Sequence, residues 1–397
     1  MSQSRFKIYS HTAIEPDTWA EIDLMQIREN LLAIRNYLPA STKLMAVVKA
    51  NAYGHGDVQT AKEAALAGAD YLAVAFIEEA IRLRHAGLTL PILILTPIRP
   101  ELTPLALEYD LMLTVTQASW FQEMRAYKPV HTKHKLQVHL KMDTGLGRIG
   151  IRTRQDWQEL VPWLLAPDIV VDGFYTHFAT AGHADTSYLE QQIQRFQDMK
   201  RWSSELPMPI NHYHCAGSVA ALRFPELSMD MVRIGAAMHG FYPKQHIQSL
   251  ELKPAMSLHS RLLQTKRVNK GDYIGYDNAY QAQTEQWIGT VPIGYADGWT
   301  QRMQLTDVLV GGCRAKVIGK ISMDQLMVQL PAYVPPGEKV TLIGGAGEES
   351  ISIQELAEHI GSVPQEISSS ITNRVTRTYK RSGGKTNERI PSKASAL

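Results

Sequence analysis

Over roughly the first 240 residues, short apolar or β-branched runs alternate with longer stretches whose apolar residues recur three and four positions apart. The short runs are LMAVVK (44–49), YLAVA (71–75), PILIL (91–95), LMLTV (111–115), KLQVHLKMD (135–143), IVVDGFYTHF (169–178), INHYHC (210–215) and VRIG (232–235). Their length and β-branched content predict eight strands. Between them, DVQTAKEAALAGA (57–69), IEEAIRLRHAG (77–87) and TSYLEQQIQRFQDMKRWSSEL (186–206) carry the helical period. Eight strand–helix units predict a (β/α)8 barrel of the TIM type, whose chemistry is expected at the C-terminal ends of the strands.

After about residue 250 the pattern shortens. AMSLHSRLLQTKRV, WIGTVPIGY, DVLVGGCRAKVIGKI, QLMVQL and EKVTLIGG read as strands separated by Gly, Asp and Pro signals, which predicts a second, predominantly β domain. The expected division is residues 1–250 for the barrel and 251–397 for the β-rich domain. TWAEIDL (18–24) alternates before the barrel pattern begins, so residues 1–24 are candidates for pairing with the second domain. No internal repeat, low-complexity stretch or flexible linker separates the two.

Composition narrows the partners. Forty-one Lys and Arg against 39 Asp and Glu give a formal net charge of +2, with no run of like charge that would suggest a nucleic-acid arm. A small-molecule partner is expected, and neither nucleic acid nor membrane. Cys215 and Cys313 are far apart and form no CxxC, so neither a disulfide framework nor a metal site is expected. MSQSRFKIYSHTAIEPDTW lacks the apolar core of a signal peptide and no run spans a bilayer, which favours the cytoplasm.

Several residues could carry chemistry. Lys49 follows the apolar run AVV at the expected barrel mouth; it is either a surface lysine at a strand end or a desolvated amine with Schiff-base reactivity. Tyr53, Gly54 and Gly56 follow in the loop, Tyr53 as an anion ligand or a packing residue. HLKMDTGLGRIG (139–150) brings Arg148 beside two glycines, suited to carboxylate or phosphate if it is not merely solvated. Lys141 shares a strand face with Asp143 and could simply pair with it. His177, in FYTHFAT at the end of the sixth run, reads first as a satisfied core histidine and second as a site residue. Ser218, in HYHCAGS, could bind phosphate at a helix start. Arg233 lies inside an apolar strand, where its charge needs partners, with Gly235 and Ala236 just beyond. Tyr276, Tyr280, Tyr295, Met323 and Asp324 stand in turn-rich parts of the second domain. No P-loop, HExxH or GxSxG occurs, which removes the zinc-protease and serine-hydrolase readings.

Taken together, AVVKANAYGHG, KMDTGLGRIG, THFAT, HCAGS, VRIGAAMHG, GTVPIGYADGW and SMDQ resemble the alanine racemase family of pyridoxal-phosphate enzymes, from about residue 18 to about residue 380. The resemblance implies an N-terminal barrel, a C-terminal β domain and a head-to-tail homodimer with shared active sites. It implies that Lys49 holds pyridoxal phosphate and is one of two acid/base groups, the other being Tyr276 from the other subunit. Lysine would serve the D-isomer and tyrosine the L-isomer. Arg233 would face the pyridine nitrogen with His177 behind it. Tyr53, Ser218 and the amides of Gly235 and Ala236 would hold the phosphate, while Arg148 and Met323 would bind substrate. Lys141 matches a position carbamylated in some members. The activity implied is interconversion of L- and D-alanine for peptidoglycan.

Four positions depart from the family pattern. Gly217 stands where an asparagine is common, Asp277 where a glycine follows the tyrosine, Ser322 where a cysteine precedes MDQ, and Gln365 where a tyrosine narrows the entrance. They leave the racemisation chemistry in place and open the substrate to serine or longer side chains. A pyridoxal-phosphate decarboxylase is the rival reaction class, disfavoured because an arginine at the pyridine nitrogen makes a weak electron sink.

Overall fold

The computed structural model of the chain describes residues 15–128, 135–242, 247 and 250–381; the ends of the expected first and second domains, 1–14 and 382–397, lie outside the described residues. The described residues divide into two compact units, one of those within 23–255 with 381, the other of those within 15–22 and 256–380.

The first unit holds eight parallel strands: β2 (Lys43–Val47), β3 (Tyr71–Val74), β4 (Ile92–Ile94), β5 (Leu111–Val115), β6 (Leu136–Lys141), β7 (Ile169–Tyr175), β8 (His212–His214) and β9 (Met231–Ile234). Their order, β8-β7-β6-β5-β4-β3-β2-β9, is a barrel opened at one seam. That seam is narrowed by a parallel bridge between Gly217 and Arg233 and by the Arg233 amide donating to the Ala216 carbonyl at 3.0 Å. Strands buried on both faces need continuous apolar runs rather than alternation, which is why β3 and β5 read as YLAV and LMLTV. Met45, Val47, Tyr71, Ala73, Leu93, Met112 and Met231 form one buried cluster, against which Tyr53 and Leu95 pack. Helices at Asp57–Leu66, Ile77–His85 and Ser187–Trp202 fall where the 3.6-residue period predicts them.

The second unit is a ten-stranded sheet with a small hairpin. Its strands are β1 (Trp19–Asp23), β10 (Met256–Arg261), β11 (Gln264–Val268), β14 (Gln286–Val291), β15 (Asp307–Val310), β16 (Cys313–Ile318), β17 (Leu326–Leu330), β18 (Lys339–Ala346), β19 (Glu349–Ile351) and β20 (Thr376–Lys380); β12 (Tyr273–Ile274) and β13 (Tyr280–Gln281) make the hairpin. β1 pairs antiparallel with β10, Trp19 opposite His259 and Ile22 opposite Met256, so the early alternating segment joins the later sheet. Val268, Ile274, Ala282, Ile288 and Ile318 cluster beneath the hairpin with Tyr280 and Met327. Two helices that the strand-like texture did not announce, Ile353–Ile360 and Pro364–Ser370, complete the unit.

Candidate active site

Lys49 lies two residues beyond β2 instead of ending it. The ladder continues through the Val48 amide, which donates to the Ala73 carbonyl at 2.8 Å, and then the chain turns left-handed. Ala50, Asn51, Ala52 and Tyr53 all have φ between 51° and 55°, closed by Gly54 at 85°. Such a turn costs about 1–2 kcal/mol per non-glycine residue, so it persists only where its surroundings impose it. Two side chains do so. The Glu79 carboxylate accepts from the amides of Ala50 (2.6 Å), Ala75 (2.8 Å) and Phe76 (3.1 Å), tying the ends of β2 and β3 together. Asn51 Oδ1 accepts from the Asp57 amide at 3.0 Å. The Lys49 amine is pushed below its ordinary value, chiefly by burial and then by the Arg148 cation, against the opposing pull of Glu79.

Arg233, the third residue of β9, is 4 % exposed. Its Nη2 donates to the carbonyls of Thr176 (2.7 Å) and Cys215 (3.0 Å) and meets His177 Nδ1 at 3.1 Å; its Nη1 meets His214 Nδ1 at 2.7 Å. A guanidinium only donates, so both Nδ1 atoms accept and both protons sit on Nε2. His214 Nε2 therefore donates to His139 Nδ1 at 2.9 Å, and His139 Nε2 donates to Asp172 Oδ2 at 3.1 Å. The chain ends on an anion. Burial pushes the Asp172 carboxyl up, but hydrogen bonds from His139 and Asn211 outweigh it and hold the group at about 2. His177 and His214 are held well below the ordinary histidine value by burial first and the Arg233 charge second, so both are neutral. Room for this chain comes from Gly173, where a Cβ would fall 2.1 Å from His139 Nδ1.

Tyr53 and Ser218 meet at the loop after β9. A Cβ on Gly235 would stand 2.3 Å from Tyr53 Oη, so only glycine admits the phenol there. Burial pushes the Tyr53 hydroxyl up to about 12, keeping it a proton donor. Ser218 Oγ, at the first residue of the helix Ser218–Arg223, accepts from the amides of Gly235 (3.0 Å) and Ala237 (3.3 Å). Ala237 was not anticipated beside Gly235 and Ala236.

The glycine loop carrying Arg148 is fixed from below. Asp143 Oδ1 accepts from the amides of Gly145 and Gly147, each at 3.0 Å, so its carboxylate orders the loop instead of pairing with Lys141. Lys141, 3 % exposed, has its amine over the Tyr175 ring, 4.7 Å from the centroid. Burial, then Arg233 and Arg148, push that amine well below its ordinary value. GLGRIG (145–150) also has the G-x-G-x-x-G spacing of a dinucleotide loop, but no helix opens on it; the next begins at Arg154.

Tyr276 and Met323 lie in the other unit. Tyr276 begins the turn Tyr276–Asn278 and is 67 % exposed, and Met323 is 52 % exposed. The Met323 segment is clamped to the next loop: the Tyr295 and Ala296 amides each donate at 3.1 Å to the carbonyls of Ser322 and Met323. Arg374 contacts Asp324 at 2.7 Å and Asp297 at 3.3 Å.

Family models for the N-terminal and C-terminal domains of alanine racemase match residues 22–243 and 255–379. The chain belongs to the alanine racemase family. An alanine racemase of Geobacillus kaustophilus is 47 % identical over 92 % of this chain and 95 % of its own. Among solved structures, an alanine racemase of Bacillus anthracis with bound L-Ala-P superposes with a TM-score of 0.90 at 43 % identity, covering 94 % of this chain and 97 % of that one. A histidine racemase of Leuconostoc mesenteroides is 31 % identical with a TM-score of 0.85, over 94 % and 100 % of the two chains. The family's barrel and mostly-strand domains are the two units described above. Of the residues that position this family member's site, Glu79, Asp172, His139 and His214 were not singled out in sequence, and Asp143 was read only as a partner for Lys141; the only signal was the two-residue spacing of His139 with Lys141 and of His212 with His214.

Among the described residues, no helix is long and apolar enough to cross a membrane. Cys215 and Cys313 are both free.

Proposed function

We propose that the chain is a pyridoxal-phosphate-dependent alanine racemase, a cytoplasmic enzyme supplying D-alanine for peptidoglycan. The observation that carries this reading is one barrel mouth that holds a lysine with a depressed pKa and a buried arginine whose position is set by two neutral histidines. The residues fit the cofactor: Lys49 offers the amine, Tyr53 and Ser218 meet at Gly235, and Arg233 is the cation beside them. Pyridoxal phosphate, when bound, withdraws electrons from the α-carbon of an attached amino acid and so acidifies its α-proton.

Arg233 stays charged and offers the pyridine nitrogen a donor, not an acid, which limits that withdrawal and suppresses decarboxylation and transamination. Tyr53 and Ser218 bind the phosphate. Lys49 would hold the cofactor through its amine, and the same amine would take or return the α-proton of the D-isomer. Tyr276 of the partner subunit does the same for the L-isomer. Two bases on opposite faces are required, because one base alone restores the original hand. Each base works best near neutral pH, and burial with the Arg148 charge moves Lys49 in that direction. Arg148 and the Met323 amide bind the substrate carboxylate. The exposure of Tyr276 supports a head-to-tail homodimer in which each β-rich unit serves the other subunit's barrel.

Lys141 is carbamylated in this reading. Its deprotonated amine attacks CO₂, a nitrogen–carbon bond forms and one proton leaves, and the resulting anion orients Arg148. A buried amine far below its ordinary value supplies the neutral nucleophile this needs. Intact mass measured with and without CO₂ tests it; no mass difference sinks it.

Reduction of the holoenzyme with borohydride followed by peptide mass mapping tests the main reading. Cofactor mass should be fixed on Lys49 and nowhere else, and Lys49→Ala should carry none and exchange no α-deuterium into alanine. Cofactor fixed to another lysine overturns the assignment.

A broader amino-acid racemase is the second reading. It is supported by Gln365, which stands where a tyrosine that narrows the entrance is common in the family. Comparing kcat/KM for alanine, serine, histidine and lysine decides; a preference for any of the last three displaces alanine.

A further inference from the structure

The turn that presents Tyr276 is unusual in its backbone. Gly275, Asp277 and Asn278 all have positive φ, at 83°, 56° and 52°. Two successive non-glycine residues in this region cost free energy, although the short polar side chains of Asp and Asn lower the cost. The turn also lies directly on the chain at Gly319–Lys320. A Cβ on Gly275 would meet the Lys320 amide nitrogen at 3.1 Å, and one on Gly319 would meet the Ile274 carbonyl at 2.8 Å, so a glycine on each side permits the approach. Across this contact, Lys320 Nζ donates to Asp277 Oδ2 at 2.5 Å. Asp277 stands at a position where glycine would reach the same backbone without help.

We infer that the Asp277–Lys320 ion pair is a latch that holds the Tyr276 turn in its left-handed form, making both residues positioning residues for the tyrosine. This rests on the reading of Tyr276 as the second acid/base group. Lys320 is the better fixed partner: its backbone amide lies against Gly275, and its side chain is 38 % exposed against 74 % for Asp277. The loop is thus tied to the sheet through Lys320, and Asp277 is the residue that is captured. An exposed ion pair contributes about 0–1 kcal/mol, so the latch changes the population of the competent turn by roughly five-fold at most. A proton transfer that depends on reach to within hydrogen-bond distance is sensitive to a change of that size.

The experiment compares native holoenzyme with Asp277→Asn, Lys320→Met and Tyr276→Phe, at concentrations where sedimentation shows all in the same association state. Because the overall equilibrium fixes the ratio of forward to reverse kcat/KM, both directions slow together, and isotope effects must separate the two proton transfers. Loosening the tyrosine makes its step slower relative to the lysine's. Asp277→Asn and Lys320→Met should therefore each raise the primary isotope effect on α-deuterated L-alanine, lower that on α-deuterated D-alanine, and reduce kcat by roughly three- to five-fold. The double variant should be no worse than either single one, and raising salt from about 0.05 M to about 0.5 M should slow the native enzyme but not Asp277→Asn. Native isotope effects in both variants, or additive losses in the double variant, overturn the latch. If Tyr276→Phe itself keeps native activity, the reading of Tyr276 fails instead, whatever the latch variants do.

Discussion

The barrel residues that converge on Arg233 are buried and bonded to one another, whereas Tyr276 and Met323 of the β-rich unit stand on turns with more than half their surface exposed. In the barrel, position and stability are the same thing: Arg233, His214, His139 and Asp172 satisfy one another, and removing one leaves a buried group without its partner. In the β-rich unit, the fold lies beneath the turn and the functional groups lie on it. Variants should therefore behave differently at the two places: changes in the bonded network of the barrel damage fold and function together, while changes on the exposed turns of the β-rich unit damage function alone.

Glu79→Ala gives the largest expected effect. It leaves the part-buried amides of Ala50, Ala75 and Phe76 without their acceptor, at about 1–2 kcal/mol each, the lower part of the usual range because water reaches them in part. Chemical denaturation should show a loss of about 3–6 kcal/mol, with loss of cofactor binding because the Lys49 turn relaxes. Stability within about 1 kcal/mol of native would break the claim that this carboxylate imposes the left-handed turn.

Tyr276→Phe should do the opposite. The ring stays, the hydroxyl goes, and stability should move by less than about 0.5 kcal/mol while racemisation falls by about 10²–10⁴-fold with cofactor still bound. A matching loss of stability would mean that this turn is as structural as the barrel mouth.

Gly235→Ala sharpens the comparison within the barrel. The added methyl would meet Tyr53 Oη and Cζ at 2.3 and 2.8 Å, so the phenol must withdraw from the loop after β9. Titration of apoprotein with cofactor should show Kd raised roughly ten-fold, about 1.4 kcal/mol. An unchanged Kd removes Tyr53 from the phosphate site.

The barrel was legible because each of its strands is buried on both faces and so announces itself as a run. Lys49 and Arg233 stood out because a charged residue just beyond or inside such a run is conspicuous, and Ser218 because it closes a small-residue turn. The residues that hold them were not. Glu79 is the third residue of the amphipathic helix IEEAIRLRH, a position from which it accepts locally from the Ala75 and Phe76 amides; the third amide, from Ala50, is a tertiary contact that no local pattern encodes. Asp172 and His139 lie on adjacent strands, β7 and β6, and their pairing depends on a register that no local pattern encodes. The left-handed turn at Ala50–Tyr53 was illegible for the same reason. Of Ala50, Asn51, Ala52 and Tyr53 only the asparagine tolerates positive φ readily, so for the other three the conformation is imposed from outside.

The smallest effect concerns acid, and it tests whether the β-rich unit, so open at its turns, holds buried charge in its sheet. Glu21 on β1 contacts His259 Nε2 at 3.0 Å and Lys380 Nζ at 2.7 Å. The hydrogen bond from His259 does most to hold its carboxyl at about 2 instead of 4.5, with Lys380 adding to it and burial opposing. Burial lowers the His259 pKa despite this carboxylate, so at neutral pH the ring contributes a hydrogen bond from Nε2 and not a full charge, with Nδ1 left to accept from Thr341 at 3.1 Å. A carboxyl with its folded pKa depressed stabilises the fold above its unfolded pKa and loses that contribution as pH falls through the folded value. The window is therefore from about pH 4.5 down to about 2. The contribution at neutral pH, reduced for partial solvent access, is about 1–2 kcal/mol. Urea denaturation across this range should show native stability falling with acid and Glu21→Gln falling less steeply, the two curves converging near pH 2. Parallel curves would place the acid sensitivity elsewhere and remove Glu21 as a buried charge of the sheet.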